Sequence, residues 1–249
     1  MARSGSLTKT ILVLACTLCA IGTIKAAAQG VTPEAENAGK CPTAGAPLGD
    51  ALSAPHWNGW GVNASQHRFQ PFVMAQLAPD DVPRLKLKWA FGYPGAVSAF
   101  AQPTIMAGRL FVGSQGGKVY SLDSASGCTY WEFNAARPVR SAIIVGQQAD
   151  GWSAYFGDFS ANVYAVDGLT GKQLWKSRVD DHPAARITGS PTLVGATLFV
   201  PVTSIEEGTG ANPSYSCCTF RGSVVALEAS TGKVQWNATG STLRSDTAT

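Results

Sequence analysis

A short motif that recurs three times limits the folds open to this chain. Its copies occupy residues 119–131, 163–175 and 224–236. In every copy an acidic residue stands four positions before a glycine, and a final tryptophan stands four positions after that glycine. Alternating apolar residues before the acid predict a half-buried strand, and the segment from acid to glycine predicts the turn that follows it. The glycine is expected to supply the positive φ that closes this turn.

The spacing between the copies defines a repeating unit of 44 residues. Trp131 and Trp175 are 44 positions apart, whereas Trp236 follows Trp175 by 61, so the third unit carries 17 additional residues. A unit of this size has room for about four short strands, which is the size of a propeller blade. We therefore predict an all-β fold, a partial β-propeller of about three four-stranded antiparallel blades. The three tryptophans are expected to be buried between blades.

Composition supports an all-β protein and gives no sign of a nucleic-acid partner. The 249 residues include 27 glycines and 14 prolines, and no long stretch has the apolar period of a helix. Charged residues make up 14% of the chain, the formal net charge is +3, and lysine and arginine do not cluster. We therefore expect no nucleic acid to bind.

The first 28 residues resemble an export signal. Arg3 and Lys9 give a positive start, residues 11–24 are mostly apolar, and three alanines before Gln29 suit a small-residue cleavage site. A lipoprotein site at Cys16 is the alternative, but the apolar run continues past it. That run is too short for a comfortable membrane span. We therefore predict a periplasmic or secreted protein without stable membrane insertion.

The rest of the chain divides around the repeats. Residues 29–54, rich in small residues and containing Cys41, predict an irregular lead-in without the C-x-x-C-H pattern of a c-type haem site. Residues 55–92 predict a non-repeat segment, in which H-W-N-G-W-G is a structural plug or a closing strand. Within it, 85–91 alternates as the outer strand of an incomplete blade that contains Trp89. Three blades then occupy 93–240, followed by a tail at 241–249.

Strand alternation predicts which loops share a face. In the first unit we expect strands A to D near 101–106, 109–114, 118–123 and 129–134. The B–C turn and the connection from strand D to the next strand A then lie on the same face, here named the upper face. The 17 additional residues fall in the B–C turn of the third unit. The D-to-A connections hold Arg137, Arg140, Arg186 and Thr188, so we expect these side chains to share the upper face with this insertion.

The insertion contains two adjacent cysteines, Cys217 and Cys218. In an exported protein they are expected to oxidise. Two patterns remain open: each bridges to one of the distant Cys41 and Cys128, or the neighbours join each other while Cys41 pairs with Cys128.

Charged residues of the insertion are also candidates for binding. Glu206 and Glu207 could ligate a hard cation such as Ca²⁺, or they could belong to an ordinary solvated loop. Arg221 could bind an anion, or it could lie on the surface at the start of strand C.

Taken together, these residues resemble the pyrroloquinoline quinone (PQQ) repeat of quinoprotein alcohol dehydrogenases. The pattern V-x-A-L-[DE]-x-x-T-G-x-x-x-W carries the likeness over about 56–236. The run C-C-T-F-R-G-S-V-V-A-L, with H-W-N-G-W-G upstream, is most similar to the polyvinyl-alcohol dehydrogenase branch. The resemblance implies an eight-bladed parent propeller whose adjacent-cysteine disulfide lies against the PQQ ring. Non-enzymatic assembly lipoproteins also carry the repeat, so a protein-binding scaffold is the alternative function.

The resemblance carries individual roles onto this chain. The implied cofactor contacts are a disulfide facing the quinone, an arginine on its carboxylates and a hydroxyl in I-T-G-S-P. In that order they are Cys217 with Cys218, Arg221 and Thr188. Arg140 is a further candidate cofactor contact, because strand alternation places it on the upper face, where a cationic side chain suits a tricarboxylated quinone. The segment S-I-E-E-G is expected to supply one Ca²⁺ ligand, from either Glu206 or Glu207.

The implied activity is that of a longer parent enzyme. The family's catalytic aspartate and remaining metal ligands lie in later blades, whereas this chain stops at Thr249 after three units. We therefore interpret it as an N-terminal fragment, expected to be inactive alone, of a periplasmic dehydrogenase that uses PQQ and Ca²⁺. The expected substrate is a secondary or polymeric alcohol such as polyvinyl alcohol, and the expected electron acceptor is a cytochrome c.

Overall fold

Strands account for most of the regular structure, and they assemble into three separate antiparallel sheets. The computed structural model describes residues 39–53 and 55–239, which all fall in the second of the chain's two units, beginning at Gly39. The predicted signal peptide, the first part of the lead-in and the predicted tail lie outside the described residues. Within the described part, no helix is both long enough and apolar enough to cross a membrane.

Each sheet is one blade whose four strands follow in sequence order. Blade 1 consists of β1 (Thr104–Met106), β2 (Arg109–Gly113), β3 (Lys118–Asp123) and β4 (Thr129–Asn134). Blade 2 consists of β5 (Ile144–Gln148), β6 (Gly151–Gly157), β7 (Asn162–Asp167) and β8 (Gln173–Arg178). The short β9 (Ala185–Arg186) precedes blade 3, which consists of β10 (Thr192–Val194), β11 (Thr197–Ser204), β12 (Ser223–Glu228) and β13 (Val234–Thr239). The predicted all-β fold of three antiparallel blades is confirmed.

Short helices lie outside the blades. They are α1 (Phe72–Ala75), a 3₁₀ helix (Pro79–Arg84) and α2 (Glu206–Thr209). The first two lie in the non-repeat segment before blade 1. The third opens the insertion of blade 3, so it belongs to the upper face.

The acid of the repeat holds the turn between the third and fourth strands of a blade. In blade 1, Asp123 Oδ1 accepts the N–H groups of Ala125 and Ser126 at 3.0 and 2.7 Å, and the Ser126 hydroxyl at 2.8 Å. Asp167 accepts the corresponding three hydrogen bonds in blade 2. Gly127 follows at φ +77°, as predicted for the closing position. The turn therefore folds from contacts within the motif itself.

The glycine and the tryptophan of the repeat meet between neighbouring blades. Trp131 of blade 1 lies against Gly171 of blade 2, where an added Cβ would stand 2.6 Å from the indole. Its Nε1 also donates to the Gly168 carbonyl at 3.2 Å. Trp175 packs against Gly232 of blade 3 in the same way. Each glycine therefore serves both its own turn and the contact with the preceding blade.

The predicted burial of the repeat tryptophans is confirmed only in part. Trp131 is buried, Trp175 is half-buried, and Trp236 is 45% exposed. The prediction for Trp236 is wrong because this residue lies on β13, which pairs only with β12 among the described residues. An indole at this position is covered only where a following glycine turn packs on it.

The predicted outer strand at 85–91 is a further correction. This segment forms no strand, since it has no ladder partner within the described residues, and Leu87 is exposed. Trp89 nevertheless docks on blade 1 as Trp131 docks on blade 2. Its ring lies against Gly127, and its Nε1 donates to the Ser124 carbonyl at 3.1 Å. The tryptophan position is thus as predicted, whereas a strand also needs a neighbouring backbone with which to bond.

The lead-in is tied to blade 1 by a disulfide and a buried arginine. Cys41 is bonded to Cys128. Arg109 is almost fully buried, lies 4.1 Å from the centre of the Tyr130 ring, and donates to the Ala44 carbonyl of the lead-in. Burial lowers the pKa of Arg109, and the nearby Tyr130 opposes this shift. The guanidinium is compensated by carbonyl oxygens and an aromatic face, as a buried charge requires.

Residues 57–70 cross the first strands of blades 1 and 2. Trp57 exchanges two backbone hydrogen bonds with Ile105 of β1, at 2.8 and 2.9 Å. The Asn58 side chain bonds both the N–H and the carbonyl of Val145 in β5. These contacts support the interpretation of H-W-N-G-W-G as a structural plug. They also place Trp60 beside a cleft on the blades.

Candidate functional site

The insertion begins where β11 extends beyond its pairing with β12. That pairing ends at Val202, opposite Ser223, while Thr203 and Ser204 pair instead with β9 in the D-to-A connection of blade 2. The Ile205 N–H then donates to the Ala184 carbonyl at 3.1 Å. The insertion and this connection therefore lie side by side, as strand alternation predicts.

Glu206 organises the insertion from its buried position in α2. The Tyr215 hydroxyl and the Thr219 N–H donate to Oε1 at 2.8 and 2.9 Å, the Thr219 hydroxyl donates to it at 3.2 Å, and the Phe220 N–H donates to Oε2 at 3.0 Å. The bond from the Thr219 N–H, followed by those from Tyr215 and Phe220, lowers the pKa of Glu206 to about 2. Glu207 is exposed. The structure thus separates two carboxylates that the sequence left equivalent: Glu206 is a fixed anion and Glu207 faces solvent.

Cys217 and Cys218 form a vicinal disulfide. The alternative of two long-range bridges is excluded, because Cys41 is bonded to Cys128. The pair is exposed at the surface of the insertion. Gly210 approaches it closely, since an added Cβ there would stand 3.3 Å from Cys217 Sγ. The disulfide is therefore presented to solvent from a packed loop.

Arg221 remains beside this disulfide. Its Nη1 donates to the carbonyls of Cys218 and Phe220 at 2.9 and 3.0 Å. The residue is exposed, and the described residues give its other guanidinium nitrogens no partner. An anion at the disulfide could therefore be bound by the remaining donors.

Arg140 and Thr188 line one cleft of about 460 Å³. Aromatic side chains from outside the repeat motifs, Trp60 and Phe100, form part of its wall. The Arg140 guanidinium lies 4.8 Å from the centre of the Phe100 ring, which holds it against the cleft by a cation–π contact. The volume lies within the usual range of small-molecule sites.

Arg137 and Arg186 line a second cleft, of about 480 Å³, rather than the first. His182 and Arg178 also line it, and Arg178 forms an ion pair with Asp181 at 2.9 Å. The four predicted residues of the D-to-A connections therefore divide between two clefts. Arg140 and Thr188 remain together, while Arg137 and Arg186 do not join them.

Several residues of the site carried no signal in the motifs. Trp60 and Phe100 lie in non-repeat sequence, and the partners of Glu206 lie up to fourteen positions away from it. His182, which contacts Thr219, lies in another blade's connection. Among the described residues, no group of three or more His, Cys, Asp or Glu side chains could hold a metal ion.

Comparisons with known proteins agree with this fold. The family PQQ_2, described as outer membrane protein assembly factor BamB, matches residues 73–248. The chain is 46% identical over 190 residues to a polyvinylalcohol dehydrogenase of Pseudomonas sp, covering 74% of this chain and 29% of that protein. It is 41% identical over 204 residues to the polyvinylalcohol dehydrogenase of Sphingopyxis sp. (strain 113P3), covering 80% of this chain and 30% of the relative. The chain thus spans less than a third of the length of these relatives.

Solved structures share the fold. A quinohemoprotein alcohol dehydrogenase from Comamonas testosteroni matches with a TM-score of 0.59 and 20% identity, over 74% of this chain and 27% of that one. A europium-containing methanol dehydrogenase matches with a TM-score of 0.60 and 22% identity, over 74% of this chain and 32% of that one. The family match covers well over half of the chain. The chain therefore belongs to the PQQ-repeat β-propeller family, in the group of quinoprotein alcohol dehydrogenases that includes the polyvinylalcohol dehydrogenases.

Proposed function

We propose that this chain forms one wall of the cofactor site in a PQQ-dependent dehydrogenase that oxidises polymeric or secondary alcohols. The vicinal disulfide Cys217–Cys218 carries the proposal. It is exposed, it lies in the large insertion of the repeats, and a scaffold role does not require it. The 46% identity to a polyvinylalcohol dehydrogenase supports the choice of substrate class.

The described residues fit the chemistry of PQQ. A tricarboxylated quinone needs cationic donors and a flat surface for its ring. Arg221 offers free guanidinium nitrogens next to the disulfide, and Arg140 offers a cation on the wall of a ligand-sized cleft. In this proposal Cys217 and Cys218 would offer the flat surface for the ring, and Thr188 would donate its hydroxyl. Bound PQQ would supply the electron sink for hydride removed from the alcohol, while the chain binds, orients and shields it.

Glu206 is the residue of this chain best suited to a hard cation. Its pKa of about 2 keeps it ionised at any pH at which the enzyme would work. Oε1 accepts three hydrogen bonds and Oε2 accepts one, so Oε2 retains capacity for another partner. The described residues would contribute this single carboxylate to Ca²⁺, and the other ligands would come from elsewhere in the whole protein.

The environment proposed for the enzyme is the periplasm. Two disulfides in the described residues, Cys41–Cys128 and Cys217–Cys218, indicate an oxidising compartment. The predicted signal peptide supports the same location. A cytochrome c is the proposed electron acceptor, by analogy with a relative named 1-butanol dehydrogenase (cytochrome c).

The test replaces both cysteines of the pair in the full-length protein. We expect Cys217→Ala/Cys218→Ala to weaken PQQ binding at least about tenfold, equivalent to about 1.4 kcal/mol, and to lower Ca²⁺-dependent oxidation of polyvinyl alcohol. PQQ affinity is measured by fluorescence titration, beside a thiol count and a melting curve.

The matched control is Cys41→Ala/Cys128→Ala, which removes the other disulfide away from the upper face. It should lower stability, by about 2–5 kcal/mol for a native disulfide, and leave PQQ affinity unchanged. Unchanged affinity and activity in a folded Cys217→Ala/Cys218→Ala variant would instead favour a protein-binding scaffold, the role that the family description suggests.

A further inference from the structure

We infer that His182 is a positioning residue that holds the disulfide loop from outside the insertion. His182 lies in the D-to-A connection of blade 2, between β8 and β9. Its Nε2 lies 2.9 Å from the Thr219 hydroxyl, and its ring centre lies 5.3 Å from that of Phe220. Thr219 directly follows the vicinal disulfide. The inference rests on the proposed function where it concerns PQQ, and on geometry alone where it concerns the loop.

The hydrogen bonds around His182 have a definite direction. The Ala184 N–H donates to His182 Nδ1 at 3.1 Å, so Nδ1 is an acceptor and the neutral ring carries its proton on Nε2. Nε2–H therefore donates to the Thr219 hydroxyl, whose own proton is donated to Glu206 Oε1 at 3.2 Å. The result is a relay from the connection of blade 2, through Thr219, to the anchored carboxylate of α2.

This relay closes the loop on one side of the disulfide, while Tyr215 closes it on the other. The Tyr215 hydroxyl donates to the same Glu206 oxygen, and its carbonyl accepts the Cys217 N–H at 2.9 Å. Both chain directions leaving Cys217–Cys218 thus return to Glu206. His182 adds the side-chain hydrogen bond that fixes this assembly to the neighbouring blade connection. The disulfide can present a fixed flat surface only if the whole loop stays in place on the propeller.

The chain offers matched substitutions that test the relay. His182→Gln places an amide nitrogen near the position of Nε2 and keeps the donor to Thr219, whereas His182→Asn is too short to reach it. Thr219→Val removes the hydroxyl at equal volume, and Thr219→Ser retains it. Two readouts are measured on the full-length protein: amide hydrogen exchange at Thr219 and Phe220, and the equilibrium dissociation constant of PQQ.

We expect His182→Asn to speed exchange and to weaken PQQ binding about fivefold, the effect of one net hydrogen bond. Thr219→Val should have at least this effect, because it also removes the hydroxyl bond to Glu206. His182→Gln and Thr219→Ser should restore both values. The double variant His182→Asn/Thr219→Val should be no worse than Thr219→Val alone, because Thr219→Val already removes the bond to His182 together with the bond from Thr219 to Glu206. The melting temperature should change equally little in the Asn and Gln variants.

Additive effects in the double variant, or failure of His182→Gln to restore exchange, would overturn the relay. So would His182→Asn with unchanged exchange and affinity. If His182→Asn does not fold, His182→Ala takes its place beside His182→Gln in the same measurements. A wild-type protein that does not bind PQQ would overturn the proposed function instead, and the exchange measurements would still decide whether His182 holds the loop.

Discussion

At the scale of single residues, the site depends on where each donor and acceptor is satisfied. Glu206 is neighbour to Glu207 in sequence, yet it alone is buried and accepts four hydrogen bonds. The consequence is a carboxylate that remains ionised and a loop that returns to it from both ends. Arg221, by contrast, is held only by carbonyls of its own loop and keeps donors for a ligand.

The depressed pKa of Glu206 predicts a pH-dependent contribution to stability. Its folded pKa of about 2 lies below the ordinary value of 4.5. The contribution is therefore fully present above about pH 4.5 and is lost as the pH falls toward 2. We expect Glu206→Gln to be less stable than wild type at neutral pH, and this difference to shrink progressively below pH 4.5. Urea unfolding of both proteins between pH 7 and pH 2.5 measures it, with Glu207→Gln as the exposed control. A difference that is independent of pH would contradict the assignment.

At the scale of elements, the blade is a local structure that its neighbours complete. The acid and the glycine form the turn within one blade, and the preceding tryptophan packs on it from another. The turns at Gly171 and Gly232 are covered in this manner, and Trp89 of the non-repeat segment covers the turn at Gly127. The repeat therefore provides packing contacts between neighbouring segments as well as the turn.

Two glycines with the same φ allow the cost of the turn and the cost of the blade contact to be measured separately. Gly171 and Gly108 both have φ +74°, but an added Cβ meets Trp131 at Gly171 and nothing within 4 Å at Gly108. We expect Gly108→Ala to cost about 1–2 kcal/mol, from the left-handed backbone alone. Gly171→Ala should cost about 2 kcal/mol more, because the methyl group overlaps the indole. Chemical unfolding midpoints provide the measurement, and equal losses at the two positions would show that the blade contact is not tight.

At the scale of the whole molecule, the last strand of blade 3 is an exposed sheet edge among the described residues. Strand β13 pairs with β12 alone among the described residues, and Trp236 is 45% exposed beside Phe199, 5.9 Å away between ring centres. Such an edge presents both unpaired backbone groups and an apolar ring to other chains. In the homologous positions of blades 1 and 2, the next blade covers the indole.

We therefore expect the isolated 249-residue chain to self-associate at micromolar concentration through β13. Trp236→Lys should reduce the association, because a charge on the edge disfavours pairing. Val97→Lys, which changes another exposed apolar residue, should not reduce it. Sedimentation velocity distinguishes these outcomes, and a monodisperse wild-type monomer would contradict the prediction.

Much of the fold could be predicted because its determinants are close together in sequence. Asp123 bonds residues two and three positions later, so the turn is visible in the motif. The spacing of the motif then indicated the blade, and strand alternation located the insertion on the upper face. The segment 85–91 failed as a strand because alternation cannot supply the neighbouring backbone that a strand requires.

Less of the candidate site could be predicted, because its contacts join distant segments. Trp60 and Phe100 line one cleft with Arg140 although both lie far from it in sequence, and His182 contacts Thr219 across 37 positions. The division of Arg137 and Arg140 between two clefts depends on the same packing, since both belong to one short connection. No spacing rule relates such residues.

The sequence by itself determined the turns, the strand pattern, the size of the blades and the position of the insertion. These features depend on hydrogen bonds between residues a few positions apart and on alternating burial, and both can be recognised in a short stretch of sequence. Only the tertiary structure decided that Cys217 bonds Cys218, that Glu206 rather than Glu207 is the fixed anion, and that Trp131 is buried while Trp236 is exposed. Each of these outcomes depends on which distant groups approach. A disulfide partner, a buried acceptor and a covered indole are properties of a contact, and the contact exists only once the blades have packed.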